Sequence, residues 1–408
     1  MADVRKYSTL VLVTNSYPYG GITEENFVMP ELDALCREFS KVIILPTTKA
    51  GQRLECSLPE NVEVDSFWIQ HPDWTRKWRR IRYLFSSSLL KENKRFTDLS
   101  FAASAHAFAG VLKKWIRNRS LDLSKTLFYT FWFDFPTAGF SILAKSMELN
   151  YCSRAHFHDI YANRAMALRR DAIELSKGVF CVGEAGCNHF ISEVPHLAHK
   201  ISLIRLGSQK AFPESLSQCH SISDEKLTFL SVARVDVVKR VHLNYKLLRA
   251  LAIARPSTNI HWIHVGDGPL MPELRRIVAQ ECPKNLKVDL KGALRNDQVQ
   301  NFYNQIPIDW TMLLSQGEGL PIAVCESLSY GVPVVATMVR GTDEIVTDDC
   351  GLLMAENPEP EEFVRGILPY LDSDLRFRRL RDGAFRSWAE NFNAAVLRPK
   401  FAKFLQSL

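Results

Sequence analysis

At 408 residues the chain is too long for one ordinary hydrophobic core, so two domains are expected. Apolar residues at 46% and charged residues at 24% exclude a disordered or fibrous chain, and no apolar run reaches the ~18–20 residues that a membrane-spanning helix needs. The net charge of +6 suits an anionic ligand or an anionic membrane surface without demanding either, and nine scattered cysteines with no C-x-x-C exclude a zinc ribbon and a disulfide framework and point to a reducing cytoplasm.

Short β-branched and apolar runs alternate with helical patterns along the chain. Strands are expected over 9–14, 41–45, 126–131, 154–157, 178–182 and 201–205, then over 227–232, 259–265, 286–290, 310–314 and 332–336. The first comes so early that the N-terminus has no signal-peptide layout. The alternation predicts parallel sheets covered by helices on both faces, an α/β architecture. It pauses at 207–224, GSQKAFPESLSQCHSISD, which is rich in Ser and Gln and reads as an interdomain linker. Two doubly wound domains follow, 1–206 and 220–385. Ligands of such sheets bind beyond the carboxyl ends of the strands, so a cleft between the domains is the expected site.

The motifs fall just after strands. SYPYGGITEENF follows the first, and Gly20–Gly21 permits a plain turn or close backbone approach to a ligand; Glu24 or Glu25 is a candidate acceptor contact. FWIQHPDWTRKWRRIRYLFSSSLLKENKRF, 67–96, holds eight Lys or Arg against two acids, with three Trp interleaved. That composition suits an anionic membrane interface, nucleic acid, or a surface helix with buried aromatics. SRAHFHDIYANR places His156, His158 and Asp159 on a loop after the 154–157 strand. Two histidines at i, i+2 with no third ligand nearby do not make a metal site.

SVARVDVVKRVHL sets Arg234 at a strand end and Lys239 near the start of the next helix. The two cations form an anion clamp, or a pair of solvated charges. In HWIHVGDGPL the G-x-G lacks a third glycine and runs into Pro269, which excludes a dinucleotide loop. EGLPIAVCESLSYGVPVVAT puts Glu318 on a loop and Glu326 one turn inside a helix over 322–330, closed by Gly331. That helix start offers the N–H groups of Ile322 and Ala323 to an anion. Two carboxylates around an anion site make sense if they hold hydroxyl groups attached to it, as in a nucleotide-sugar. On spacing alone, a solvated Glu and a dipole-favoured Glu account for the pair better.

Taken together, EGLP-x4-E-S-x3-G-x-P-V, R-V-x3-K, H-V-G-D-G-P-L and R-A-H-F-x-D-x-Y resemble the motifs of retaining GT-B glycosyltransferases of the E-x7-E type (glycosyltransferase group 1, family 4), a group that includes bacterial surface-polysaccharide enzymes. The resemblance covers nearly the whole chain and is densest over 227–354, with RGTDEIV and CGLLM extending it. It departs at Phe157, Ala233 and Arg240, where glycine is usual. It implies a GT-B fold of two Rossmann-like domains, with a C-terminal helix at 386–408 packing back on the first, acceptor-side domain and 220–385 binding the donor.

By the same resemblance, Arg234 and Lys239 grip the donor diphosphate, Glu318 and His156 contact the donor sugar, and Glu326 holds the ribose. Gly20, Gly21, Gly319, Leu320, Ile322 and Ala323 line the donor. The implied reaction is metal-independent hexosyl transfer with retention, from a UDP- or GDP-sugar to a hydroxyl of a glycan or lipid-linked saccharide in cell-surface polysaccharide synthesis. The acceptor attacks from the leaving-group side and a phosphate oxygen takes its proton. No cofactor and no metal are expected. YTFWFDFPT, 129–137, is similar to a Y-S-Y-W string on the acceptor side of bacterial polysaccharide enzymes, which favours a lipid-linked acceptor. The cleft motifs explain an anionic ligand without nucleic acid. The expected location is cytoplasmic, with 67–96 at the inner face of the membrane. A catalytically idle sugar-nucleotide-binding or scaffold protein of the same fold is the alternative.

Overall fold

The computed structural model describes residues 5–20, 22–54, 58–71, 96–161, 166–212, 222–223 and 225–408. The chain forms two compact units: one up to Ile204 joined by Arg398–Leu408, the other Arg205–Leu397.

The first unit is a parallel seven-stranded sheet of order β3-β2-β1-β4-β5-β6-β7. Its strands are β1 Thr9–Thr14, β2 Lys41–Pro46, β3 Val62–Val64, β4 Thr126–Thr130, β5 Asn150–Ala155, β6 Gly178–Cys181 and β7 Ile201–Leu203. Period-2 alternation sends Leu10 and Leu12 to one face and Val11 and Val13 to the other. Both faces are buried. Leu10 and Leu12 join a cluster with Val42, Ile44, Phe401 and Leu405, while Val11 and Val13 join Ile43, Phe108, Trp115 and Phe140. The end of the last helix, Ala394–Ser407, therefore belongs to this unit's core. Its Gln406 side chain bonds both polar groups of the Tyr7 backbone, at 3.0 and 2.8 Å.

The second unit is a parallel six-stranded sheet of order β10-β9-β8-β11-β12-β13. Its strands are β8 Lys226–Val232, β9 Asn259–Val265, β10 Leu286–Leu290, β11 Trp310–Leu313, β12 Val334–Thr337 and β13 Gly351–Met354. Helices such as Val241–Ala254 and Pro360–Leu371 bury Leu248, Leu251, Phe363 and Ile367 against one face, with Phe229 and Trp262 from the strands.

Three expectations shift. A strand over 154–157 is replaced by β5, Asn150–Ala155, and Phe157 opens a short helix, Phe157–Tyr161. The strand starts four residues earlier than expected, and its Arg154 is buried and held by Glu31 from the helix Ile22–Glu38. The described part of the expected linker, 207–212, lies in the second unit, where Ser208 N–H donates to Phe392 O at 3.0 Å and Trp388 Nε1 donates to Ser208 Oγ at 3.1 Å. The stretch 386–397 also lies in the second unit, because the helix Asp374–Asn391 and the turn after it pack there. The short strands β3 and β13 add one edge to each sheet.

In both sheets the strand order reverses beside the first strand, between β1 and β4 and between β8 and β11. Such reversal points open a crevice at the carboxyl ends of the strands.

Candidate active site

In the second unit the loops after β8 and β11 meet at that reversal. Glu318 lies on the β11 loop with a side chain only 7% exposed. Lys239, from the β8 loop, donates from Nζ to both of its carboxylate oxygens, at 2.6 and 2.7 Å. Ser315 Oγ donates to the same carboxylate, and Glu318 N–H donates to Arg340 O at 3.0 Å. Gly341, with φ +86°, backs this loop: a Cβ there would stand 2.5 Å from Glu318 O. The RGTDEIV turn thus needs glycine both for its left-handed backbone and for the approach.

Lys239 is held by its own backbone, whose N–H donates to Asp236 Oδ1 at 2.9 Å. The next residue, Arg240, sits at φ 46° and ψ 41° before the helix Val241–Ala254. The left-handed conformation that glycine would adopt freely is therefore kept by an arginine. Its strain, on the order of 1–2 kcal/mol, is offset by the work of a buried guanidinium. Arg240 donates to Leu314 O, Ser315 O, Glu356 O and Asn357 Oδ1 at 2.8–3.1 Å, stapling the β8 loop to the β11 loop. Arg234, on the same loop as Lys239, is 71% exposed with Nε 3.2 Å from Asp236 Oδ2.

The helix Ile322–Ser329 follows Glu318. Its N-cap is Pro321, which supplies no side-chain cap, so the first-turn N–H groups of Ile322 and Ala323 keep no intrahelical partner. Gly319 and Leu320 lead into it. Tyr330 is its C-cap, and Gly331 follows at φ +64°. Glu326 is buried inside the helix. Asn296 Nδ2, at the head of the helix Asn296–Gln305, donates to Glu326 Oε1 at 2.6 Å. Burial pushes the Glu326 carboxyl up to about 7, while hydrogen bonds from Asn296 and Gln300 pull the other way. Gln300 in turn accepts from the Tyr330 hydroxyl at 2.6 Å, and that hydroxyl accepts from the N–H groups of Ala211 and Phe212.

The glycine pair of HVGDGP is structural. Gly266 has φ +140°, and a Cβ there would stand 1.8 Å from Ala233 O, at the head of the Arg234 loop.

Gly20 and His156 belong to the first unit; Gly21 lies outside the described residues. Gly20 has φ +72°, and its close neighbour is the chain itself: a Cβ would stand 2.9 Å from Gly51 N. Glu24 is an anchor of the same loop, accepting from the N–H groups of Asn15, Ser16 and Tyr17 at 2.6–2.8 Å and from Trp132 Nε1 at 2.8 Å. His156, just past β5, packs its ring 4.3 Å from Trp132 and 5.3 Å from Phe131, centroid to centroid. Among the described residues neither ring nitrogen has a hydrogen-bond partner, and Nδ1 stands 3.5 Å from Asp159 Oδ2. Asp159 Oδ2 accepts instead from the N–H groups of His156 and Phe133 at 3.1 and 3.2 Å, which fixes the strand end. Phe157 packs on Tyr161 at 4.9 Å.

Of the basic and aromatic stretch 67–96, residues 72–95 lie outside the described residues. Trp68 is core, stacked 4.8 Å from Phe108. Among the described residues no three His, Cys, Asp or Glu side chains gather as a metal site, and no helix is long and apolar enough to cross a membrane.

Sequence reasoning named Lys239, Glu318 and Glu326 but missed Ser315, Arg240 and Asn296, which hold them. Arg240 carried a signal, as a charged residue where a glycine is usual. Asn296, thirty residues before its partner, carried none.

Comparison with known proteins places these loops in context. Residues 214–386 match the family described as glycosyl transferases group 1. The putative colanic acid biosynthesis glycosyltransferase WcaL of Escherichia coli is 26% identical over 188 residues, 45% of either chain. The uncharacterized glycosyltransferase MJ1178 of Methanocaldococcus jannaschii is 26% identical over 141 residues, 34% of either chain. The chain thus matches less than half the length of these curated relatives. Among solved structures, Anabaena Alr3699/HepE in complex with UDP and glucose superposes with a TM-score of 0.66 at 18% identity, covering 98% of this chain and all of that one. The apo lipopolysaccharide outer core galactosyltransferase WaaB gives 0.64 at 14% identity, covering 97% and 99%. At such identities the likeness is one of fold: two Rossmann-like units of the GT-B class.

Proposed function

We propose that this chain, whose residues 214–386 match the glycosyl transferases group 1 family, moves a sugar from a nucleotide-sugar donor to a hydroxyl of a glycan or lipid-linked saccharide, with retention of configuration. The observation that carries this reading is the meeting of Lys239 and Glu318 at the β8/β11 reversal, beside an uncapped helix start and an exposed Arg234.

The arrangement explains how a charged pair becomes a donor site. An incoming diphosphate competes with Glu318 for Lys239 and settles on the N–H groups of Ile322 and Ala323. Glu318, relieved of its cation, accepts from hydroxyls of the donor sugar. Glu326 accepts from the ribose. His156, whose Nε2 has no hydrogen-bond partner among the described residues, is the first unit's candidate for hydroxyl recognition. As the anomeric C–O bond to the diphosphate breaks, charge grows on the leaving group. Arg234 and Lys239 meet that charge, so the scheme calls on no divalent ion. The acceptor oxygen bonds the anomeric carbon on the same face, and its proton passes to a phosphate oxygen.

The WcaL similarity supports a cell-surface polysaccharide as product, and the UDP complexes of HepE make UDP-sugars the first donors to try. Work at the cytoplasmic face of a membrane, through 67–96, is the part of the reading that rests on composition.

A melting-temperature titration with UDP, GDP and ADP tests the site. One nucleotide at ~100 times its dissociation constant should stabilise the protein by about 2.7 kcal/mol, and Glu326→Ala should lose that shift. No shift with any nucleotide overturns the reading and favours the idle scaffold.

A further inference from the structure

The chain passes from the first unit to the second between Ile204 and Arg205 and returns between Leu397 and Arg398. Within the second unit the two passing segments lie side by side. Ser208 bridges Asn393 in parallel register, Ser208 N–H donates to Phe392 O at 3.0 Å, and Ala394 N–H donates to Ser208 O at 3.1 Å. A Cβ on Gly207 would stand 2.4 Å from Phe392 O, so the approach needs glycine. Trp388 Nε1 holds the pair from the helix Asp374–Asn391, at 3.2 Å from Ser208 O and 3.1 Å from its Oγ.

Tyr330 holds the next residues of the first segment. Its hydroxyl accepts from Ala211 N–H at 3.1 Å and from Phe212 N–H at 3.3 Å, and donates to Gln300 Oε1 at 2.6 Å. The phenol's one proton and both lone pairs are thereby used. Burial holds it above its ordinary pKa, so it keeps the proton it donates. Its ring lies flat on Tyr303, with 4.8 Å between centroids and 9° between planes, and Phe212 packs on the same cluster. Gln300 follows Asn296 by one turn on the helix Asn296–Gln305, so the two amides share a face. With its Oε1 taken by Tyr330, Gln300 has its NH2 to offer Glu326, and the two are hydrogen-bonded.

Every bond in this row donates in one direction, from the backbone N–H groups of 211 and 212 through the phenol and the amide to the carboxylate. Bonds in such a row polarise one another, so charge fixed at its end strengthens the donors behind it. A ribose hydroxyl that donates to Glu326 favours the ionised carboxylate, the form to which Gln300 donates most strongly. We infer that Tyr330 is a positioning residue that couples the donor site to the segment joining the units: a nucleotide held by Glu326 tightens Gln300 on Tyr330 and so fixes the backbone at 211–212. The inference rests on the proposed role of Glu326 as the ribose acid.

Hydrogen exchange of the Ala211 and Phe212 amides in the whole protein, followed by mass spectrometry, tests it. The probe is whichever of UDP, GDP and ADP shifts the melting temperature, at saturation. In wild type it should slow exchange at these two amides on the order of tenfold. Tyr330→Phe keeps the stacked ring. It should lose that increment and bind the nucleotide more weakly by no more than the same factor, as linkage between the two equilibria requires. Trp388→Phe removes a bond to Ser208 and leaves the row intact; it should speed exchange over 205–212 but keep the nucleotide increment at 211–212. Three results overturn the inference while the donor site stands: an increment that survives in Tyr330→Phe, a bound nucleotide that leaves the wild-type amides unchanged, or an affinity loss in Tyr330→Phe far beyond the increment. No melting shift with any nucleotide in wild type sinks the nucleotide reading itself and this inference with it.

Discussion

Lys239 Nζ lies within 2.7 Å of both carboxylate oxygens of Glu318, so the cation proposed for the donor diphosphate and the acid proposed for the donor sugar neutralise each other. The pair explains how a carboxylate 7% exposed is tolerated just before a helix start with no side-chain cap. Removing one partner should expose the cost of the other. Lys239→Met should destabilise the fold by roughly 1–3 kcal/mol in urea unfolding, a discounted buried-pair value because the lysine is partly solvated. Glu318→Gln in that background should restore part of the loss. A saturating nucleotide diphosphate should shrink the coupling energy of the double-mutant cycle; a coupling unchanged by nucleotide would mean that Lys239 never leaves Glu318.

Arg234 makes the opposite prediction. Its side chain is 71% exposed, so Arg234→Ala should change stability by no more than ~0.5 kcal/mol. Turnover should fall by about 10²-fold or more, while nucleotide affinity changes far less, because the charge it meets grows in the transition state. Transfer at the wild-type rate would remove Arg234 from the mechanism.

Glu326 gives a pH signature. Its carboxyl titrates at about 7 because it is buried, against about 4.3 in an unfolded chain. A raised acid pKa favours the protonated fold. Its contribution to stability is therefore full below pH ~4.3 and is lost as pH rises through about 7. Glu326→Gln should be more stable than wild type at pH 8, on the order of 1–3 kcal/mol, and close to it at pH 4. Nucleotide binding should run the other way: the ribose needs the ionised acid, so wild-type affinity should fall below pH 7 and the variant should be weak throughout. Parallel pH profiles of wild type and variant would contradict the assignment.

Asn296 tunes that acid. Its amide donates to Glu326 Oε1 at 2.6 Å and favours the charged form. Asn296→Leu should raise the midpoint of the pH-dependent nucleotide binding above 7, and Asn296→Ser should recover part of the shift. Isothermal titration across pH 6–9 reads this directly; a midpoint that stays put while affinity falls would make Asn296 merely structural.

Much of the fold was legible in the sequence because burial on both faces leaves a continuous apolar run. β1, TLVLVT, falls on the expected residues for that reason. β5 begins at Asn150, four residues before the expected start, and ends at Ala155; the burial of Arg154 within it depends on Glu31, 123 positions earlier. The stretch 67–96 reads as a membrane interface, a nucleic-acid surface or a surface helix with buried aromatics, and Trp68, stacked on Phe108, fits the last. Composition registers such residues without saying which side they face.

The candidate site divides along the same line. The sequence by itself determined the loop bearing Glu318, the helix bearing Glu326 and its Gly331 stop, since turns, caps and helix periodicity depend on neighbours a few residues away. It also named Lys239 as a charge after a strand. Only the tertiary structure decided that Lys239 grips Glu318 from 79 positions away and that Asn296 reaches Glu326. It likewise set Arg240 in a left-handed turn to staple two loops. The Lys239 and Arg240 pairings follow from β8 lying beside β11 in the sheet, an adjacency fixed by strand order rather than by any local preference of the chain.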